Sequence, residues 1–537
     1  MFTSLKRPCD EGVIRAAPDR HPCSQGLGAW VLAATILGSS MAFIDGTVVN
    51  VALPAIQAGL NADVAALQWI VEAYALFLAA LVLVGGSLGD RYGRRRIFSS
   101  GVALFTLASL WCGFAPSATQ LILARAVQGV GAALLVPGSL AIISATFSSE
   151  QRGRAIGTWA SFTAITAALG PVLGGWLVET ISWRAVFFIN LPLAIIVLII
   201  TFWHVPESRD ETHTGRLDWS GALLITIGLG GIVFGLLESA NLGWGHPLIP
   251  GALLLGVVGL GAFLTVEARS ATPMMPLHLF RSRSFSGANL LTLLLYAALG
   301  GALFFVPFNL IQVQGYAPTA AGGALLPFIL IIFLMGRWAG SLIDRYGARL
   351  PLTIGPTIAA LGFVMLAIPG IGGSYWTTFF PAVVVLGLGM GTSVAPLTTT
   401  VMSSVEASHA GLASGINNAV SRVAGLLAIA VMGMIMLQIF SNNLEQRLDA
   451  LNLAPQIRQE LLAQRTSLAG IELPADINAE QQATLEGAIN MAFVSSFRMI
   501  MLIAGGLALL SALTAGLLIA GRPAVDQAAA VRQQPST

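Results

Sequence analysis

Fourteen apolar stretches, each of roughly twenty residues or more, follow one another from residue 28 almost to the C-terminus. Rising about 1.5 Å per residue, an α-helix of about 20 residues crosses the ~30 Å hydrocarbon core of a bilayer. Strands would need only about ten residues each and would alternate apolar with polar side chains, which these stretches do not. Inside lipid every backbone N–H and C=O must be satisfied within its own segment, so the stretches are read as transmembrane helices. They cover 28–53, 67–89, 97–115, 119–143, 155–178, 184–203, 219–238, 249–267, 286–311, 319–342, 352–370, 376–400, 410–438 and 490–520. With 55% hydrophobic and only 10% charged residues, and a mean hydropathy of +0.80, the composition excludes a soluble globular chain. The expected fold class is an all-α polytopic membrane protein.

Lipid also makes the few charges informative. An even number of spans puts both termini on one side, and Lys and Arg accumulate on the cytoplasmic side. If the termini are inside, nineteen of the twenty-seven Lys and Arg fall in cytoplasmic tails and loops, while the short opposite loops hold only Arg184. Both termini are therefore expected in the cytoplasm, the membrane being a cell's inner membrane. Residues 1–27 carry charges and prolines without an apolar core and read as a cytoplasmic tail rather than a signal peptide.

Several chemistries drop out. Cys9, Cys23 and Cys112 are odd in number and follow neither a disulfide framework nor a metal-ligand spacing. The chain has no nucleotide-binding P-loop, dinucleotide fingerprint or zinc-protease motif, so neither enzyme activity, metal nor cofactor is expected. Glycine runs such as "GVGAALLVPGS" lie within apolar helices, where small residues let backbones approach.

One cluster breaks the apolar rhythm and then returns. "GSLGDRYGRRR" from Gly86 reappears as "GSLIDRYGARL" from Gly340, which carries Asp90 onto Asp344 and Arg91 onto Arg345, 254 residues later. Each copy ends an even-numbered span, so two halves are built alike and inserted the same way round. Parallel repeats of this kind underlie alternating-access transporters. The resulting division is a tail (1–27), an N-terminal six-helix bundle (28–203), a linker with two extra spans (204–284), a C-terminal six-helix bundle (285–520) containing an external loop (441–489), and a second tail (521–537). The arginine cluster is a topology marker in a membrane chain, not a nucleic-acid patch.

These residues resemble the major facilitator superfamily, and the span count resembles its fourteen-span drug:H+ antiporter branch of multidrug and quaternary-ammonium exporters. Gly86, Asp90, Arg91, Gly93, Arg94 and Arg95 match the superfamily's signature between spans two and three. "FIDGTVVNVALPAI" is similar to the branch's first-span motif with its acidic residue at Asp45, and "LILARAVQGVGAALLVP" to the fourth-span motif through Arg125, Gln128 and Gly129. "GTWASFTAITAALGPVLGG" is similar to the fifth-span antiporter motif through Gly157, Gly170, Pro171, Gly174 and Gly175, with Thr166 replacing one family glycine. The resemblance implies a major facilitator fold of two six-helix bundles with two additional central helices, and proton-driven export of lipophilic, cationic or amphipathic drugs. Protons would be the coupling ion, and lipids and small lipophilic molecules the partners of a monomeric transport unit.

Each motif also has a physical reading. Asp90 lies at a helix end where arginines can pair with it, while Gly86 and Gly93 permit close helix approach and a tight turn. Such a clasp, repeated at Asp344 and Arg345, either gates the cytoplasmic side or only marks topology. Pro171 and its glycines either flex or seal span five.

Ionisable residues within spans are costly in lipid and mark polar cavities. Counting residues from the span ends puts Asp45 ~25 Å above the cytoplasmic end of span one and Arg125 ~9 Å below the outer end of span four, nearly the same level. Glu72 falls close to them, so Asp45, Glu72 and Arg125 are expected to form one group in which a carboxylate changes protonation. The alternatives are a permanent Asp45–Arg125 ion pair and a Glu72 that reaches the headgroups. Arg422 is too deep in span thirteen to reach water and is expected with Asn417 and Asn418 on a polar wall. Arg337 and Arg498 lie nearer span ends and snorkel, while Glu179 and Glu238 meet the outer headgroups.

The stretch 441–489 carries three arginines against seven acidic residues, with leucines at helical spacing interrupted by prolines. It reads as short amphipathic helices capping the last two spans, or as a dock for a periplasmic adaptor protein. Two other functions stay open: export of one endogenous metabolite or lipid, and a transporter-like sensor or scaffold without flux.

Overall fold

The computed structural model describes residues 25–209, 218–270, 273–406, 409–451, 453–474 and 477–521, excepting certain side chains that include those of Arg337 and Asp344. The two tails expected at 1–27 and 521–537 lie outside the described residues except for their innermost positions.

Among the described residues the secondary structure is helical throughout, and fourteen helices are long and apolar enough to cross a membrane. Spans one to four are Gly28–Leu60, Val64–Tyr92, Arg94–Phe114 and Ala118–Thr146. Spans five to eight are Gln151–Thr180, Ala185–His204, Trp219–Leu242 and Leu248–Arg269. Spans nine to eleven are Arg283–Val313, Pro318–Gly336 and Arg349–Leu366; spans twelve to fourteen are Phe380–Ser403, Ala410–Asp449 and Ala479–Leu518.

The helices begin where side chains can satisfy exposed backbone donors. Asp63 Oδ1 accepts from Ala66 N at 2.8 Å ahead of span two, and Asn478 and Gln481 form a reciprocal capping box ahead of span fourteen. The boundaries extend beyond the apolar stretches because hydropathy marks where a chain leaves lipid, not where helical hydrogen bonding stops. The charged cluster shows this best: span two runs through Asp90 and Arg91, and span three starts at Arg94. What reads as a loop over 89–96 is one residue, Gly93, whose φ of +110° is a conformation that side-chain-bearing residues avoid.

Two compact units divide the chain. Unit one holds spans one to eight together with Ala317–Gly323, and unit two holds the rest of span ten with spans nine and eleven to fourteen. The extra pair, spans seven and eight, therefore groups with unit one, where Trp69 Nε1 of span two donates to Glu238 Oε1 of span seven at 2.9 Å. Spans two and four approach closely because Gly85 faces the Ala133 carbonyl and Gly129 the Tyr74 carbonyl, leaving no room for a Cβ at either. Gly86, by contrast, has ordinary space towards Pro137, so the close approach belongs to its neighbour. Met41, Phe98 and Phe105 fill the core between spans one, three and four.

In unit two, span nine ends in a π-helical turn, Asn309–Val313. Spans thirteen and fourteen are 40 residues each, or about 60 Å of helix, twice the thickness of the hydrocarbon core. Their extensions absorb much of 441–489. A helix at Pro455–Ala463 and a 3₁₀ turn at Arg465–Gly470 join them over buried Leu444, Leu448, Leu461, Leu468 and Leu485. Arg458 secures the join by donating to Asp449 at 2.7 Å and to Glu445 at 3.3 Å.

Candidate functional site

Two of the most buried charges of unit one, Asp45 and Arg125, meet at a single point. Asp45 projects from span one, and Arg125 and Gln128, three residues apart, share one face of span four. Arg125 Nη1 donates to Asp45 Oδ2 at 2.5 Å and to Gln128 Oε1 at 2.7 Å, and Arg125 Nε donates to the Ile70 carbonyl of span two at 3.0 Å. Gln128 Nε2 in turn donates to Asp45 Oδ1 at 2.8 Å. The Tyr74 ring lies 4.3 Å from the Arg125 guanidinium, giving the cation a π face as well as a carboxylate.

Span six adds a residue at the same point. Asn190 Nδ2 donates to Ser109 Oγ of span three at 2.9 Å and reaches Asp45 Oδ1 at 3.4 Å, while Ser109 Oγ donates to the Phe187 carbonyl at 2.8 Å. Cys112 Sγ closes the group from span three with a 3.6 Å contact to Gln128 Oε1. Asp45 is 0% exposed and Arg125 1%, so both charges depend on each other and on amide and carbonyl groups for the solvation they have lost. A proton arriving at Asp45 would cancel the carboxylate and leave Arg125 with neutral partners only. The arrangement is a buried carboxylate–guanidinium pair closed by amide partners from spans four and six.

Glu72 of span two is as buried as Asp45, and the hydrogen bonds of Arg125 go to Asp45, Gln128 and Ile70. In unit two, Asn417 Nδ2 donates to Thr292 Oγ1 at 2.7 Å and Asn289 Oδ1 at 3.2 Å, tying span thirteen to span nine. Arg422 Nε donates to Asn418 Oδ1 one turn earlier on its own helix, at 3.0 Å, and the contact is exposed.

The signature between spans two and three is a second charged site. Asp90 accepts from Arg94 Nε at 2.8 Å and Nη2 at 2.7 Å. Arg95 Nη1 donates to the Val205 carbonyl at 3.1 Å, and Glu207 accepts from Arg95 N at 3.0 Å while pairing with the Arg96 side chain at 3.6 Å. The segment after span six thus fastens the arginines. Arg91 instead leans over the Tyr92 ring, as Arg345 does over Tyr346 in the copy, where Gly347 repeats the positive φ at +75°. The side chain of Asp344 lies outside the described residues.

Span five presents its glycines unequally. Gly170 and Gly174 face Thr47 and Val48 of span one, Gly175 faces the Pro318 backbone, the Pro171 carbonyl faces Gly322, and Gly157 faces open space. Thr166, which stands where the motif has glycine, donates to Ser40 Oγ at 3.0 Å. Among the remaining in-span charges, Glu179 accepts from Thr319 N at 3.2 Å, and Arg498 donates to the Ile368 and Pro369 carbonyls at 3.4 Å each.

Tyr74, Ser109, Asn190 and Glu207 are participants that sequence reasoning missed. Asn190 did carry a signal, as a lone amide in "FFINLPLAII" with no water to bond in a span. Glu207 had only its position after span six.

Comparison with known proteins places this architecture. The Major Facilitator Superfamily model matches residues 35–429. The multidrug resistance protein Stp of Mycobacterium tuberculosis is 38% identical over 424 residues, covering 78% of each chain. The tetracenomycin C resistance and export protein of Streptomyces glaucescens is 32% identical over 492 residues, covering 90% of each. The puromycin resistance protein of Streptomyces alboniger is 35% identical over 426 residues, covering 78% of this chain and 84% of that one. Among solved structures, a bacterial homologue of the human lysosomal transporter Spinster, inward-facing and unoccupied, aligns with a TM-score of 0.63 at 17% identity. That alignment covers 92% of this chain and 98% of the other, and the likeness is one of fold.

Proposed function

Because the chain belongs to the Major Facilitator Superfamily, and is a multi-pass membrane transporter rather than an enzyme, we propose that it is a proton-driven antiporter exporting lipophilic cationic or amphipathic drugs. The observation that carries the proton half of this reading is the buried Asp45–Arg125 pair with its amide partners. The names of the relatives, all resistance or export proteins for multiple drugs, tetracenomycin C or puromycin, support the cargo class.

In this reading Asp45 is ionised and paired in one state of the cycle and protonated in the other. Alternating access would open the group to each side in turn, so that proton and Arg125 compete for the carboxylate in a different environment at each stage of the cycle. Protons move in and drug moves out across an inner membrane with both termini cytoplasmic, and the monomer is the transport unit. Glu72, Arg422, Asn417 and Asn418 are further cavity positions in this reading. The signature around Asp90 and its copy at Asp344 serve as cytoplasmic gating elements, and span five is the flexing helix.

Everted membrane vesicles test the reading. With a proton gradient imposed, ethidium or tetraphenylphosphonium should dissipate it in wild type, and Asp45→Asn should abolish the response at unchanged membrane insertion. Full exchange by Asp45→Asn would remove Asp45 from coupling, and failure of every lipophilic cation to discharge the gradient would overturn drug–proton antiport.

A further inference from the structure

Asn190 is fully buried, yet only one end of its amide is used. Nδ2 serves both Asp45 Oδ1 and Ser109 Oγ, while Oδ1 is enclosed and accepts no hydrogen bond. A buried carbonyl left in this condition costs free energy that a well-packed interior normally avoids. The two ends of a primary amide are nearly equal in size, so turning the group over requires no repacking; it only exchanges two donors for one acceptor.

We infer that Asn190 reads the protonation state of Asp45 and transmits it to the start of span six. This inference rests on the reading that Asp45 takes up a proton. With Asp45 ionised, Nδ2 faces the carboxylate and Ser109 is free to donate to Phe187. When a proton from water forms an O–H bond at Asp45 Oδ1, that oxygen becomes a donor and Nδ2 no longer suits it. The amide then turns, and Oδ1 accepts from the carboxyl O–H. Nδ2 has also left Ser109, whose hydroxyl now donates to Asn190 Oδ1 and releases the Phe187 carbonyl.

The release falls where span six already lacks a backbone bond. Its backbone stays helical through Ile189, whose N–H donates to the Ala185 carbonyl at 3.2 Å, but Pro192 has no N–H to offer the Phe188 carbonyl one turn earlier. The Ser109 bond to Phe187 ties this turn to span three. Protonation at span one therefore loosens a tie between spans three and six through one amide and one hydroxyl.

The other groups facing Asp45 do not replace Asn190. Arg125 and Gln128 of span four hold the carboxylate from one side, with the Tyr74 ring of span two behind Arg125 and Cys112 of span three against Gln128. Glu72 is a further buried acid of span two. Arg125 donates in both states and cannot distinguish them by accepting, and Gln128 Oε1 is occupied by Arg125. Asn190 alone among the amides here has an acceptor in reserve.

The test is infrared titration of the purified full-length protein in lipid, following the carboxyl C=O band that Asp45→Asn removes. A hydrogen bond to the charged carboxylate outweighs one to the neutral acid, so the near-isosteric Asn190→Leu should tighten proton binding about tenfold, moving the midpoint up by one pH unit. Ser109→Ala, which keeps the amide but removes its anchor, should move the midpoint in the same direction by less and supplies the answer if Asn190→Leu does not fold. A titrating Asp45 band with unchanged midpoints overturns the role of Asn190 and leaves the antiport reading standing. A shifted midpoint alongside intact exchange by Asp45→Asn supports the role of Asn190 while defeating Asp45 as the coupling group. Absence of any Asp45 band defeats both.

Discussion

In unit one Arg125 is enclosed against Asp45, with Gln128, Ile70 and Tyr74 filling its remaining contacts, whereas in unit two Arg422 holds an exposed contact to Asn418 of its own helix. The two units share a repeat, and the 254-residue offset that carries Asp90 to Asp344 carries Asp45 to Leu299. The repeat preserves the turn and loses the charge. Neutral polar groups, Asn417 with Asn289 and Thr292, join spans thirteen and nine instead. One half thus encloses an ion pair, and the other joins its helices through neutral hydrogen bonds. The difference follows from cost: a buried ion pair needs a shell of partners to offset its desolvation, and Gln128, Asn190 and the Ile70 carbonyl supply one in unit one.

The largest expected effect breaks that comparison directly. Arg125→Leu leaves the Asp45 carboxylate buried without its cation and should destabilise the protein by about 3–5 kcal/mol, or force Asp45 to stay protonated. Arg422→Leu removes a half-buried side chain whose bond to Asn418 is neutral at its acceptor, leaves no buried carboxylate behind, and should cost less than Arg125→Leu. Thermal unfolding of both variants in detergent measures the difference, and equal losses would end the distinction between the units. Adding Asp45→Asn to Arg125→Leu should recover part of the stability, since no buried charge is then left unpaired.

Next in size are the two turn glycines. Gly93 at φ +110° and Gly347 at φ +75° both occupy conformations that cost other residues about 1–3 kcal/mol. Gly93→Ala should lie at the upper end, because the new methyl would press on the Glu207 carboxylate that holds Arg95. If Gly347→Ala were the more damaging, the second copy rather than the first would be the more constrained turn. Asn417→Ala follows, with about 1–2 kcal/mol for the two bonds to span nine, read by the same unfolding measurement.

How much of this was legible in the sequence depends on whether a property runs along the chain or around the helix. Depth runs along it, so counting residues brought Asp45 and Arg125 to one level, and the structure has them in contact. Azimuth does not. Asn190, the lone amide of an apolar span, turns towards Asp45, which depth alone does not show. The same limit explains Gly85 and Gly86: the motif marks the second, while the helix face puts the first against span four. The fourteen spans were legible because lipid imposes length and composition directly on sequence, and the one-residue turn at Gly93 was not, because charged residues can continue a helix past the membrane surface.

The smallest expected effect sharpens the comparison at the cytoplasmic motif. Among the described residues Glu207 is the acid paired with Arg95 and Arg96, and it binds both side chains and a backbone N–H. Glu207→Gln keeps an oxygen for Arg95 N but removes the charge, so the stability lost should be under about 1 kcal/mol at low salt. The pair with Arg96 reaches solvent through that arginine, so its attraction is screened as ionic strength rises, the Debye length falling from about 10 Å at 0.1 M to about 3 Å at 1 M. Wild type should therefore lose stability across that salt range by the amount the variant has already lost, and the two unfolding temperatures should converge. Asp90 and Arg94 are neighbours within one helical turn and remain in both proteins, so convergence isolates the link to the segment after span six. A gap that persists at high salt would mean that Glu207 acts through its fit against Gly93 rather than through its charge.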